Sequence, residues 1–464
     1  MASSRFHFHT LVLIFILVVL VALSTWILPG GEYERFEKDG RTLVKADSFR
    51  FIESSPQGID DILMAPIEGF VSAAKIIAFL FVIGGAFMVI TDTGAIGAGV
   101  QSLAHSLTKN PKLQKFFIPI TMVIFSIAGS TFGMAEETMP FVLIFIPLAI
   151  SLGYDSIVGT AIPFLGAAAG FAGAVFNPFT VGIAQSISGL PMYSGMEYRI
   201  IIWVISTVCM IAFIMWYAAK IKKNPQASPV YDIDLERKKT LHLTNEEKLQ
   251  FTGKHKAILV VFGIAFIFMI YGILRYQWYI IEIAAIFLAL GIVSGLIGGL
   301  NGGKIADSFK AGAKDMMGVA LIIGCAKAML IIAQDGKILD LMLFSLSGVI
   351  SDLHPVVAAQ AMFVTQGVIN FFVHSGSGQA ALTMPVMAPL ADVLGISRQI
   401  AVLAFQFGEG WINPILPTSG VTMGVLGLAG IPWERWFKWM LPAQIFFFIL
   451  ALLLLIPPFF FNYQ

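Results

Sequence analysis

Long apolar runs separated by short polar segments fill nearly the whole 464-residue chain. Leu11–Leu28 is long enough to cross a hydrocarbon core. It ends in Pro29-Gly30-Gly31 without a small-residue cleavage motif and reads as a retained helix. From Gly30 to Gln57 the chain turns polar, and alternation around Asp39-Gly40 predicts a small β-hairpin outside the bilayer, on the periplasmic side. Ile59–Ala74 mixes charged and apolar residues at helical spacing, as an interfacial helix does, and leads into a span from Ile76 to Ile90.

Two later runs carry polar, glycine-rich tips where lipid would exclude them. Leu113–Gly129 and Thr138–Leu152 are short for crossings, and the stretch Gly129–Pro140 joins them. Together they predict a re-entrant hairpin over 113–152, whose freed backbone groups must be buried in protein or face a water-filled cavity. The next run, 157–188, is interrupted at Asn177-Pro178, where the missing donor and the restriction on the preceding residue break a helix. Ile200–Ala219 completes the first half, and polar, Lys-rich 220–256 is a cytoplasmic linker. The second half has spans at Ala257–Leu274 and Tyr279–Leu300, an amphipathic Lys304–Met317 and a span at Val319–Ala333. A hairpin over 356–395, with its tip at His374–Pro385, a broken helix over 399–428 and a last span, Trp436–Phe459, follow.

The halves share markers in the same order. Val82–Ala86 resembles Ile322–Ala326, the Thr-Met-Pro triplets at 138 and 383 align, and Asn177-Pro178 matches Asn413-Pro414. Alternating loop assignment with a cytoplasmic N-terminus places about twice as many Lys and Arg inside as outside, as the positive-inside rule requires. On that topology the hairpins enter from opposite sides, and residues 1–219 and 257–464 are inverted repeats.

Composition closes off other classes. The chain is 57% hydrophobic and only 12% charged, far below a soluble domain, which makes it an all-α polytopic membrane protein with two inverted repeats, each carrying a re-entrant hairpin and a broken transmembrane helix. A net charge of +1 gives no case for nucleic acid. Cys209 and Cys325 have no metal-ligand spacing. Trp433–Trp439 reads as an interfacial belt.

The polar breaks carry the candidate chemistry. Ser130, Thr131, Asn177, Ser375, Ser377 and Asn413 offer hydroxyls and amides, and half-helix N-termini attract anionic groups. Ser130, Asn177, Ser377 and Asn413 are also hard oxygen donors suited to a sodium ion. Glu136 and Glu137 open the second arm of the first hairpin, either as substrate ligands or as support for a helix dipole. Glu409 lies four residues before Asn413, with no helix start nearby in sequence, and an ionisable group within a span defaults to function. Because the tips and broken helices hold three Glu and one His but no Lys or Arg, their charge suits a basic amino acid. His374 is a candidate for ion or proton coupling or a polar helix end. Lys75 and Lys327 fall within spans, and Asp335 and Asp92 are candidate partners for Lys327. An intramembrane serine hydrolase built on His374 with Ser375 or Ser377 is the remote alternative, since no motif supplies an orienting acid or oxyanion hole.

The runs Gly129–Phe141, Ala168–Thr180, His374–Pro385 and Gly408–Gly420 together resemble the YfcC family, grouped with anaerobic dicarboxylate carriers and arginine/ornithine-type antiporters. The resemblance spans the chain. It implies the ion-transporter superfamily fold in a bacterial inner membrane, a dimerisation scaffold and hence a homodimer, and an elevator-like motion of hairpins and broken helices. Its substrate would be a basic amino acid or, alternatively, a dicarboxylate or other organic anion imported with sodium or protons; it implies no cofactor. Superfamily members that bind di- or tricarboxylates often carry Ser-Asn-Thr at their hairpin tips. This chain has Gly-Ser-Thr-Phe-Gly and His-Ser-Gly-Ser-Gly instead, in agreement with the acidic reading.

Overall fold

The computed structural model describes residues 10–38, 41–246, 251–276, 278–461 and 463. It opens with α1 (Thr10–Ser24), followed by four short strands, β1 (Gly30–Glu32), β2 (Arg35–Lys38), β3 (Arg41–Val44) and β4 (Arg50–Ile52). β2 pairs antiparallel with β3, Lys38 opposite Arg41, so the expected hairpin is present; its Asp39-Gly40 turn lies outside the described residues. β1 pairs with β4, a second ladder that the alternation did not reveal. The first half continues through α2 (Ile59–Ser72), α3 (Ala74–Asp92), α4 (Ala95–Lys109), α5 (Pro111–Phe132), α6 (Met139–Ser151), α7 (Ser156–Gly173), α8 (Val181–Ile187) and α9 (Met196–Lys223). The linker carries α10 (Tyr231–Glu246), and the second half begins with α11 (Gly253–Tyr276) and α12 (Ile280–Gly298). It continues with α13 (Gly302–Asp315), α14 (Met317–Asp335), α15 (Leu339–Ile350), α16 (Pro355–Asn370), α17 (Gly376–Val393), α18 (Arg398–Gly410), α19 (Gly420–Ala429) and α20 (Trp433–Leu454).

Nine helices or broken helices among the described residues are long and apolar enough to cross a membrane. Corresponding elements of the halves pack reciprocally: α2 on α14 and α13 on α3, α1 on α14 and α12 on α3. Matched glycines allow the first two contacts. A methyl group on Gly69 would lie 2.2 Å from the Gly324 carbonyl oxygen, and one on Gly312 would lie 2.1 Å from that of Gly84. Small residues let backbones approach in this way where no hydrophobic drive separates helix from lipid. The hairpins and broken helices form a second group around α7, which is almost wholly buried, whereas α11 is mostly exposed.

Both broken helices are interrupted, at somewhat different places from those expected. The first stops at Gly173, with Ala174 left-handed (φ 39°), rather than at Asn177-Pro178. Its freed N–H groups are taken by the neighbouring hairpin: Val175 donates to Ser130 Oγ (3.1 Å) and Phe176 to the Ser130 carbonyl (3.0 Å). The second break uses side chains from α19 and α20. Thr422 donates to the Asn413 carbonyl (2.6 Å), Trp436 Nε1 to that of Pro414 (2.9 Å), Trp433 Nε1 to that of Ile415 (3.0 Å) and Gln444 to that of Trp411 (2.9 Å). Trp433 and Trp436 therefore serve the break, and Trp436 is fully buried, which corrects the interfacial-belt expectation for these two. Unpaired carbonyls inside a low-dielectric core are costly, so such donors belong where a span is broken.

The linker folds back onto the protein. Asp155 caps α7 through Val158 N and accepts from Tyr217 (2.5 Å) and Ser228 (2.7 Å), while Asp234 on α10 accepts from Ser156 N (2.8 Å). Arg237 donates to the Ala429 carbonyl, at the end of α19, and Arg435 makes a two-armed ion pair with Asp232. Polar composition indicated that this segment is not inserted; its side chains join the ends of elements from both halves.

Candidate functional site

A cavity of about 570 Å³ lies where the two helix groups meet. That size falls in the range of small-molecule sites. One wall consists of the first tip (Gly133–Thr138), the second tip (His374–Ser377), α7 and both breaks; the other comes from the α2–α3 junction and the start of α12, with Lys327 of α14. Both halves thus contribute to one chamber.

Three carboxylates reach it. Glu136 and Glu137 stand on a single 3₁₀ turn between the arms of the first hairpin. Glu137 is 6% exposed and its Oε2 accepts from Ala135 N (2.9 Å), while Glu136 Oε1 accepts from the Tyr279 hydroxyl (3.2 Å). Glu409 is 4% exposed; its Oε1 accepts from Asn413 Nδ2 (3.1 Å) and its Oε2 has no hydrogen-bond partner among the described residues. The expectation that no helix start lies near Glu409 is corrected by the tertiary fold. A methyl group on Gly376, the first residue of α17, would lie 3.5 Å from Glu409 Oε1. The helix N-terminus therefore faces this carboxylate and stabilises negative charge there.

The tip residues divide into two sets. Ser375, Ser377, His374 and Asn413 line the cavity. Ser375 Oγ caps α17 by accepting from Gly378 N (3.3 Å), and His374 Nε2 shares a 2.7 Å hydrogen bond with Thr418 Oγ1. The imidazole bond goes to a threonine and the Ser375 hydroxyl serves its own helix, so a Ser–His dyad is not assembled. Ser130, Thr131 and Asn177 do not line the cavity, a correction to their assignment as substrate ligands. Ser130 and Thr131 stay inside α5, the former pinning the neighbouring break and the latter bonded back to the Ile127 carbonyl (2.7 Å). The helix ends only at Phe132, where Gly133 takes a positive φ of 70°. Asn177 Oδ1 accepts from Phe179 N (2.9 Å) and Thr180 N (3.3 Å), and its amide sits against Gly133. Of the four oxygen donors expected for sodium, only Ser377 and Asn413 face the chamber.

Several contributors were not singled out as site residues from the chain. Asn370, at the end of α16, donates to the carbonyls of Gly408 (3.3 Å) and Glu409 (3.4 Å) and to Asn413 Oδ1 (3.0 Å), fixing the geometry around Glu409. A polar amide closing an apolar arm was the available signal. Tyr279, at the start of α12, joins the two walls by its bond to Glu136 and by stacking on Phe179 with ring centroids 5.8 Å apart. Lys75 and Lys327 also line the cavity. Neither forms an ion pair within 4 Å among the described residues, and Asp92, an expected partner of Lys327, instead accepts from Ser308. The tips and the breaks themselves do lack cations, and Arg398, at the start of α18, is paired with Asp392, but the facing wall supplies two.

Known proteins share this chain across its length. It is 38% identical to a protein of Escherichia coli (strain K12) named "Putative basic amino acid antiporter YfcC", over 92% of each chain. It is 32% identical to an uncharacterized protein of Haemophilus influenzae, over 93% of this chain and 92% of the other. Among solved structures it is similar to MtrF of Neisseria gonorrhoeae, an antimetabolite efflux pump, at 19% identity and a TM-score of 0.44, covering 97% and 95% of the two chains. A multi-pass helical protein whose halves enclose a small-molecule chamber between them has the build of a membrane carrier. The model of the DcuC family, described as "C4-dicarboxylate anaerobic carrier", matches residues 8–459, and the chain belongs to that family of transporters.

Proposed function

We propose that this protein exchanges one basic amino acid for another, as arginine for ornithine, across the bacterial inner membrane, with a cytoplasmic N-terminus and as a homodimer. The carrying observation is the convergence of Glu136, Glu137 and Glu409, from two halves of the chain, on one cavity. A guanidinium or ammonium group is held well by charge-assisted hydrogen bonds from such carboxylates. The name of the Escherichia coli relative points the same way. The reciprocal packing of the halves and the grouping of hairpins with broken helices fit an elevator-like alternating-access motion of inverted repeats, in which that group slides against the wall bearing α3, α12 and α14.

A second reading, import of a dicarboxylate or other organic anion driven by sodium or protons, is supported by Lys75 and Lys327 in the cavity and by the family's description. Counterflow in proteoliposomes separates the two. Labelled arginine should exchange against internal ornithine without competition from succinate. Glu409→Gln should lower that exchange about 10- to 100-fold, the scale of a lost hydrogen bond to a charged group. Succinate uptake that follows a sodium or proton gradient, with no arginine exchange, would establish the alternative.

A further inference from the structure

Lys327 stands out as a charge that the acidic reading does not use. It is the eleventh residue of α14, Met317–Asp335. At 1.5 Å per residue its Cα lies about 15 Å from one end of the helix and about 12 Å from the other. A lysine stem does not bridge either distance, so snorkelling to a headgroup region does not account for it. Lys75 differs, being the second residue of α3 and exposed. Lys327 forms no ion pair among the described residues, and it opens on the same cavity as the carboxylates. An ionisable group placed mid-span and facing a chamber is costly unless something in that chamber pairs with it.

Its neighbours on α14 place it on the side of the second tip. Ala328, Met329 and Ile332 belong to an apolar cluster that also takes in Phe371 and Phe372, just before that tip. Glu136 and Glu137 belong to the first tip. The one carboxylate at the second tip, Glu409, already has the Asn413 amide and the start of α17 against it.

We propose that Lys327 binds the carboxylate of the substrate, so that the protein selects amino acids over the corresponding decarboxylated amines. This assignment rests on the basic amino-acid reading above. The site is bipolar: a side-chain cation is met by glutamates, and the α-carboxylate by a lysine fixed on the facing helix group. The ammonium supplies a strong point charge there without the geometric demand of a fork.

The test compares arginine with agmatine, which keeps the guanidinium and lacks the carboxylate, in counterflow by reconstituted full-length protein. Wild type should prefer arginine by at least about tenfold in kcat/KM, Lys327→Met should remove most of that preference, and Lys327→Arg should keep it. Equal losses for both compounds in Lys327→Met would show a lysine that only balances nearby carboxylates, and would overturn the proposal. Should Lys327→Met not survive purification as a monodisperse species, the wild type decides alone, since equal competition by agmatine and arginine excludes a carboxylate subsite. Absence of arginine exchange by wild type would instead remove the basic amino-acid reading, and this assignment with it.

Discussion

The two hairpins carry the same Thr-Met-Pro marker and turn at different places. Aligned on Thr138 and Thr383, Ser130 corresponds to Ser375. In the first hairpin the helix runs through Ser130 to Phe132 and restarts at Met139; in the second it stops at Asn370 and restarts at Gly376. The second therefore turns about two helical turns earlier along the same pattern. The matched serines explain part of this. Ser130 pins the break after α7, so it stays in its arm, while Ser375 caps its own helix and begins a new one. The consequence is chemical. Glu136 and Glu137 occupy an unwound apex, whereas their counterparts Ala381 and Leu382 lie inside α17. One tip brings carboxylates and the other brings a helix N-terminus.

The largest effect should come from breaking the meeting point of the second tip with the first half. A methyl group on Gly376 would lie 2.4 Å from the Thr180 methyl, closer than real side-chain carbons approach, whereas one on Gly378 meets only its own Ser375 side chain at 3.1 Å. Gly376→Ala should lower exchange at least about tenfold, because the tip must retreat from Glu409 and Thr180 and small misplacements at a site are costly. Gly378→Ala should stay close to wild type. Initial counterflow rates for the two variants, normalised to protein inserted, read the difference; equal behaviour would mean that the tip contact is not needed for transport.

The comparison also shows what the chain made legible. Apolar run lengths, the repeated markers and the Asn-Pro pairs pointed to helix interruptions near residues 130–140, 177, 374 and 413, and the structure has non-helical segments within a few residues of each. The apex of the first hairpin was misplaced because Gly129, Ser130 and Thr131 look like tip residues. A serine in a span can cap its own helix or a neighbour's, and only tertiary contact decides. The two lysines of the facing wall carried a similar ambiguity, since a lysine in an apolar run gives no sign of which chamber it enters. Trp433 and Trp436 followed an interfacial composition rule and were recruited instead by freed carbonyls. α10 sits in a polar segment whose partners are distant in sequence, so its ties to α7, α19 and α20 had no local signature.

A smaller effect should follow from uncoupling the first tip from the facing wall. Tyr279 is the residue seen here to hold Glu136 by a hydrogen bond while stacking on Phe179. Tyr279→Phe keeps the ring and removes the hydroxyl, leaving Glu136 freer to meet substrate. A two- to fivefold change in KM with kcat nearly constant is expected, corresponding to about 0.5–1 kcal/mol for one solvent-accessible hydrogen bond. Tyr279→Ala removes the stack as well and should change kcat. If both variants alter KM alike and leave kcat alone, the ring contact plays no part in motion between the walls.

The smallest effect concerns the cap that only the second tip possesses. Ser375→Ala leaves the Gly378 N–H without its side-chain acceptor and should destabilise the start of α17 by about 0.5–2 kcal/mol. Ser377→Ala is the comparison, since its hydroxyl faces the same cavity and makes a long bond to Ser375 Oγ (3.5 Å) rather than capping the helix. The helix beginning at Met139 has no side-chain cap; the Thr138 hydroxyl instead donates to the Ala135 carbonyl (2.6 Å). Thermal unfolding in detergent should therefore rank Ser375→Ala below Ser377→Ala. If Ser375→Ala instead melts with wild type while losing exchange, its hydroxyl acts on substrate and not on the helix. The two matched serines would then differ in chemistry and not only in which helix they hold.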